Sequence, residues 1–218
     1  KNIFTINPLN IKLNDTILIP YIVSDEISNN LIKYLTKREV ISESSEIINS
    51  KKLYSKIPEK IYQAILKKSD NLIAESLLAN VGYTYTDTIS VDHGIDKTLE
   101  KLRPEIQNGI EWFDGSGLSR YNMVKSQTII YALNEIYNQW GLEKIIEIFP
   151  NNYIIEGKDD FVWGKTGTLK NNHNYSGFIK SRKGKYYLFS IMINHFNSNL
   201  SDVKQSIKDF LLYVNTNG

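Results

Sequence analysis

Apolar positions in the middle of the chain recur at helical spacing, whereas those toward its end alternate. From Ser24 or Asp25 as an N-cap, Ile27, Leu31, Ile32 and Leu35 fall on one face of a helix. Residues 40–55 are polar and rich in Ser and Lys, as a connection between lobes would be. Pro58 suits the first turn of a second helix, whose Ile61, Ile65 and Leu66 share one side and which runs into Ser69. The pattern resumes at once in "NLIAESLLANVGY", with Leu72, Ile73, Ser76 and Leu77 periodic and Gly82 as the expected C-terminal stop. A weaker helix carries Ile95, Leu99 and Leu102 and ends before Pro104. A long one from about Ser126 to Trp140 gathers Ile129, Ile130, Leu133, Ile136 and Tyr137, stops at Gly141, and is followed by a shorter helix ending at Pro150.

Beyond Pro150 the period falls to 2. "DFVWGKTGTL", "YSGFIKSR" and "KYYLFSIMIN" read as strands, the last two joined by a tight turn at Lys183-Gly184. A closing helix over roughly 200–214 presents Val203, Ile207, Phe210 and Leu211. The opening "KNIFTINPLNIKLNDTILIPYIV" reads as short extended segments broken by Pro8, Asn14-Asp15 and Pro20. Helices first, then strands, then a helix is α+β order rather than alternating βα.

Composition narrows the function. With 218 residues, 41% of them hydrophobic, the chain can bury a substantial core. Its 26 basic and 24 acidic side chains leave a net charge of +2, too weak a field to argue for a nucleic-acid partner. The lack of cysteine excludes disulfide frameworks, thiolate catalysis and Cys-based zinc sites, and it fits a periplasmic or other extracytoplasmic address. No apolar run approaches the roughly 18 residues of a membrane span, so no transmembrane segment is expected. His93, His173 and His195 have no metal-ligand spacing, and His173 falls in what reads as the loop after the first of these strands.

Three stretches carry candidate chemistry: Ser69-Asp70-Asn71 at the helical corner, "DGSGLSRYN" from Asp114, and Lys165-Thr166-Gly167-Thr168 on a strand. Singly, each has a bland reading. Ser-Asp-Asn can be an N-cap cluster, Asp114-Gly115 and Gly117 turn punctuation, and Lys-Thr-Gly ordinary surface strand. Two specified tripeptides in this order and context, however, are roughly a one-in-a-thousand coincidence at average composition.

"LKKSDNLIAE", then "DGSGLSRYN", then "GKTGTL" and "SGFI" resemble the C-terminal half of the penicillin-binding protein 4 type D-alanyl-D-alanine carboxypeptidases/endopeptidases, peptidase family S13. The resemblance implies a serine β-lactamase/DD-peptidase fold, a helical lobe against an antiparallel sheet. It also implies hydrolysis of peptidoglycan stem peptides through an acyl-enzyme, with β-lactams as ligands and no cofactor. Residue by residue, it makes Ser69 the proton relay to the leaving amine, tuned by Lys165, and has Asn71 hold the acyl-side peptide. Lys165 and Thr166 would face the terminal carboxylate, Gly167 would permit close approach along the strand, and the N–H of Thr168 would serve the oxyanion. Asp70, Asp114 and Gly115 are implied to be structural residues near the site.

The family's nucleophile belongs to a Ser-x-x-Lys upstream of Ser-Asp-Asn, and none precedes Ser69 here. Ser201-Asp202-Val203-Lys204 comes too late in the order, and Ser201 reads as an N-cap. Residues 1–50 are therefore read as the tail of an inserted domain and its connection, and 51–218 as the C-terminal part of the catalytic domain. A partner segment carrying Ser-x-x-Lys is expected to complete it. Two alternatives share the later motifs: a class A-like β-lactamase and a non-catalytic peptidoglycan-binding homologue. The polar "FPNNYIIEGKDD" departs from the family's Gly-rich stretch at the edge of the cleft.

Overall fold

The computed structural model describes residues 24–41, 56–151 and 160–218. The extended segments expected in 1–23, the connection over 42–55 and most of "FPNNYIIEGKDD" lie outside them. The chain divides into two units at Ser55/Lys56. The first contributes α1 (Asp25–Thr36), capped by the Ser24 hydroxyl, which accepts from the Ile27 N–H, and closed by Lys37 at φ 58°. None of its residues is buried, so the expected apolar face of Leu31, Ile32 and Leu35 is exposed.

The second unit opens with α2 (Glu59–Lys68) and α3 (Asn71–Thr86), joined through Ser69 and Asp70. Pro58 stands at the N-cap of α2, just outside the helix rather than within its first turn. Gly82 does not end α3, which runs on to Thr86 and an Asp87 cap. The glycine faces α4 (Val91–Leu99), where a β-carbon would stand 2.3 Å from the Ser90 carbonyl oxygen. Gly94 answers it from α4, since a β-carbon there would meet the Leu78 carbonyl oxygen at 2.1 Å. These glycines therefore set a close helix crossing, a role that helical periodicity alone does not separate from a stop signal.

A short α5 (Pro104–Gln107) leads to a two-residue ribbon, β1 (Ile110–Glu111) and β2 (Met123–Val124), which the sequence did not suggest because so short a pair has no period. Next, α6 (Ser126–Ile148) is two helical stretches meeting at a non-helical Gly141, φ 71° and ψ 171°, where the sequence predicts one helix to stop and a shorter one to follow. The antiparallel sheet follows in the order β3-β4-β5: β3 (Val162–Leu169), β4 (Asn172–Lys180) and β5 (Tyr186–Asn194). β4 begins earlier than expected, at Asn172, because a second tight turn with Asn171 at φ 63° reverses the chain directly after β3.

Alternation distributes the core to both faces of the sheet. On one face Val162, Tyr175, Ile179 and Phe189 pack with Val203, Ile207 and Leu211 of α7 (Leu200–Asn217). Phe210 is not part of that face and is 52% exposed, because α7 turns it toward solvent. On the other face Trp163 and Phe178 pack with Leu133, Ile145 and Phe149, and Leu66 of α2 joins them. The N-cap of α7 is Asn199, so Ser201 lies inside the first turn, exposed, with its hydroxyl on Asp202.

Candidate active site

One packing contact and the alternation of β3 aim the site. Leu66 anchors the end of α2 on the cluster that holds Trp163, Ser69 follows just beyond Leu66, and Lys165 lies on the same face of β3 as Trp163. Both side chains accordingly line one cavity of about 790 Å³. Asp70, Asn71, Thr166, Gly167 and Thr168 line it as well, as does Gly115. Ser201 does not.

Ser69 is a non-glycine residue in the left-handed region, φ 53° and ψ 45°, at the C-cap of α2. The turn is closed by the Asp70 N–H donating to the Ala64 carbonyl at 3.1 Å. Asp70 then caps α3, its carboxylate accepting from the Ile73 N–H at 3.0 Å. Spent on the backbone, that carboxylate organises the corner, and the exposed Ser69 and Asn71 flank it.

The "DGSGLSRYN" segment forms a loop on the β1–β2 ribbon. The Asp114 carboxylate accepts from the N–H groups of Gly117 and Ser119, each at 2.7 Å, and from the Asn122 amide at 2.9 Å. Asn122 in turn accepts from the Phe113 N–H at 2.8 Å. Burial pushes the Asp114 pKa up, but the bonds from Asn122, Gly117, Ser119 and Ser116 outweigh it and leave the group more acidic than usual. Glu75 of α3 adds an attachment that sequence reasoning missed, accepting from the Gly115 and Ser116 N–H groups at 2.6 and 2.7 Å. A glutamate on a half-polar helix gives no sequence signal of so distant a partner.

Lys165 is half-buried, and that desolvation lowers its pKa below the usual lysine value. Its ammonium donates to the Thr166 carbonyl at 2.6 Å, and among the described residues no carboxylate pairs with it. Among the described residues β3 is an edge strand; its Gly164 N–H already donates to the Pro150 carbonyl at 2.9 Å, and a β-carbon on Gly167 would meet nothing within 4 Å.

His173 is not in a loop. It lies within β4 opposite Thr168, is 1% exposed, and its Nδ1 is hydrogen-bonded to the Thr168 hydroxyl at 2.7 Å. The expected loop position failed because the reversal at Lys170-Asn171 is two residues long. Burial, with a contribution from Lys204, lowers the His173 pKa. Among the described residues no group of His, Asp and Glu is placed to hold a metal ion. The groups that line the cavity are thus a hydroxyl, an amide and an ammonium with no carboxylate partner among the described residues, beside the β3 edge, a set suited to binding a peptide with a terminal carboxylate.

A family model described as the D-Ala-D-Ala carboxypeptidase 3 (S13) family matches residues 43–213. The D-alanyl-D-alanine carboxypeptidase DacB of Haemophilus influenzae is 30% identical over 168 residues, which is 68% of this chain and 34% of the relative. Among solved structures, penicillin binding protein 4 from the same organism, complexed with a β-lactam, matches with a TM-score of 0.61 at 27% identity over 72% of this chain and 41% of that one. The Bd3459 predatory endopeptidase of Bdellovibrio bacteriovorus matches in fold, with a TM-score of 0.58 at 18% identity over 73% of this chain and 43% of that one. The chain spans about a third of the length of the curated relative it matches. Its architecture is the serine β-lactamase/DD-peptidase fold, helices against an antiparallel sheet.

Proposed function

This chain belongs to the D-Ala-D-Ala carboxypeptidase 3 (S13) family, and on that premise we propose that it forms the Ser-Asp-Asn and Lys-Thr-Gly side of a serine-type D-alanyl-D-alanine carboxypeptidase/endopeptidase. The substrate is a peptidoglycan stem peptide, and the compartment is the periplasm or another extracytoplasmic space. The nucleophile comes from a Ser-x-x-Lys segment outside these residues, closing the cavity from the side where Leu118 and Met123, both 60% exposed, line it.

The peptide lies along the edge of β3 with its terminal carboxylate at the Lys165 ammonium and the Thr166 hydroxyl. Asn71 donates its side-chain amide to the acyl-side carbonyl. The nucleophilic serine adds to the scissile carbonyl carbon, and the oxyanion that forms accepts from the Thr168 N–H. As the C–N bond breaks, Ser69 relays to the departing amine the proton given up by the attacking serine, and water later hydrolyses the ester, with no cofactor. The burial that lowers the Lys165 pKa also strengthens the pull of its charged form, since an ammonium in a half-dry cleft attracts a carboxylate more strongly than one in water.

One observation carries the reading: Ser69-Asp70-Asn71 and Lys165-Thr166-Gly167-Thr168, far apart in sequence, line a single cavity. A fluorescent penicillin added to the intact protein tests it. A covalent band that unlabelled penicillin suppresses is the expected result. No band from the intact, folded protein overturns the reading and leaves a binding protein without catalysis.

A further inference from the structure

We propose that Glu75 is a positioning residue whose carboxylate clamps residues 114–119 onto α3 and thereby fixes one wall of the cavity. One oxygen, Oε2, accepts from two consecutive N–H groups, Gly115 at 2.6 Å and Ser116 at 2.7 Å. Both are charge-assisted bonds at the short end of the range. Asp114 cannot substitute for it, because its own oxygens serve Gly117, Ser119 and Asn122. The two carboxylates thus divide the loop, Glu75 holding its front to the helix and Asp114 holding its back to itself.

Packing gives the clamp its precision. A β-carbon on Gly115 would stand 3.0 Å from Leu78 Cβ and 3.1 Å from the Ala74 carbonyl oxygen, so the loop backbone lies directly on α3. Glu75 follows Asn71 by one helical turn and shares its side of α3. The helix therefore couples the Asn71 amide rigidly to the Ser116, Leu118 and Ser119 wall. Without the carboxylate, two partly buried N–H groups lose their partner and the wall is released. Catalytic constellations need positions held to about 0.5 Å, which a loop this rich in glycine and serine does not supply unaided.

The clamp stands on the geometry alone, and its effect on acylation rests on the peptidase reading. The test uses the intact protein with Glu75→Asp, which keeps the charge but shortens the reach, and Glu75→Gln, which keeps the reach but weakens the acceptor. Hydrogen exchange at the Gly115 and Ser116 amides is expected to quicken at least tenfold in Glu75→Asp and less in Glu75→Gln, with exchange in β3–β5 unchanged. The saturating rate of acylation by penicillin is expected to fall at least tenfold in Glu75→Asp, with partial rescue in Glu75→Gln. Unchanged exchange at both amides in both variants overturns the clamp. Faster exchange with acylation at the unaltered rate overturns the positioning role. If Glu75→Asp does not fold, the same two readouts in Glu75→Gln decide. An unaltered protein that takes no penicillin defeats the peptidase reading instead, and the exchange rates then decide the clamp by themselves.

Discussion

Ser69 occupies a backbone conformation that favours glycine, and a β-carbon in the left-handed region costs about 1 kcal/mol or more. On the proposed reading, the hydroxyl that Ser69 adds to the cavity lining is the reason a β-carbon is kept there. Ser69→Gly is therefore expected to stabilise the folded protein by about 0.5–1 kcal/mol, read as a rise in thermal midpoint, while slowing penicillin turnover. Ser69→Ala keeps the strain, gains no stability, and loses the same activity. A Ser69→Gly variant that is no more stable and fully active removes the functional reason for the strain. Lys165 gives a second residue-scale expectation. On the proposed reading its charged form binds the carboxylate, and burial lowers its pKa, so acylation should decline on the alkaline side through a midpoint below 10.5. Lys165→Arg should move that limb upward, because guanidinium stays charged. The polar tripeptide at the corner was legible in the sequence because Ser, Asp and Asn are cap formers interrupting a clear helical period. The partners of Glu75 and His173 were not, since each depends on which distant backbone or strand lies opposite.

At the scale of elements, glycines separate packing from recognition. Gly82→Ala and Gly94→Ala each drive a methyl group into a carbonyl oxygen across the α3–α4 crossing, at 2.3 and 2.1 Å. Each should lower stability by about 1–3 kcal/mol in denaturant melts, despite the better helix propensity of alanine. Gly167→Ala meets open space, so its stability should change by less than about 0.5 kcal/mol while affinity for a peptide along the β3 edge falls. The sheet carries a pH dependence through His173. Burial favours its neutral form, so its stabilising contribution is complete above the usual value of 6.5 and is lost as pH falls through the lowered folded pKa. His173→Gln, which can still hydrogen-bond but does not titrate there, is expected to flatten the acid side of the thermal midpoint against pH. An unchanged acid slope would show that His173 does not set it. Element order was legible because helical and strand periods are long-range averages. Gly82, the ribbon at β1 and β2 and the start of β4 were not, because a helix crossing, a two-residue pair and a two-residue turn leave no period to read.

On the scale of the whole molecule, the α7 face of the sheet is filled, while the other face opens beyond Trp163 and Phe178 onto the cavity. Leu118 and Met123 stand exposed on its lining, apolar area that a covering segment would remove from water at roughly 25 cal/mol per Å². Produced alone, residues 1–218 are expected to melt broadly rather than in one sharp transition. A compact monomer with a sharp, cooperative melt contradicts the need for a partner segment. The most direct test of the central claim is to acylate the intact protein with penicillin and map the modified serine by mass spectrometry. The account predicts one adduct, on the serine of a Ser-x-x-Lys outside residues 1–218, and its loss when Lys165 is replaced by Met. An adduct on Ser201, or one formed equally well without the Lys165 ammonium, would contradict it.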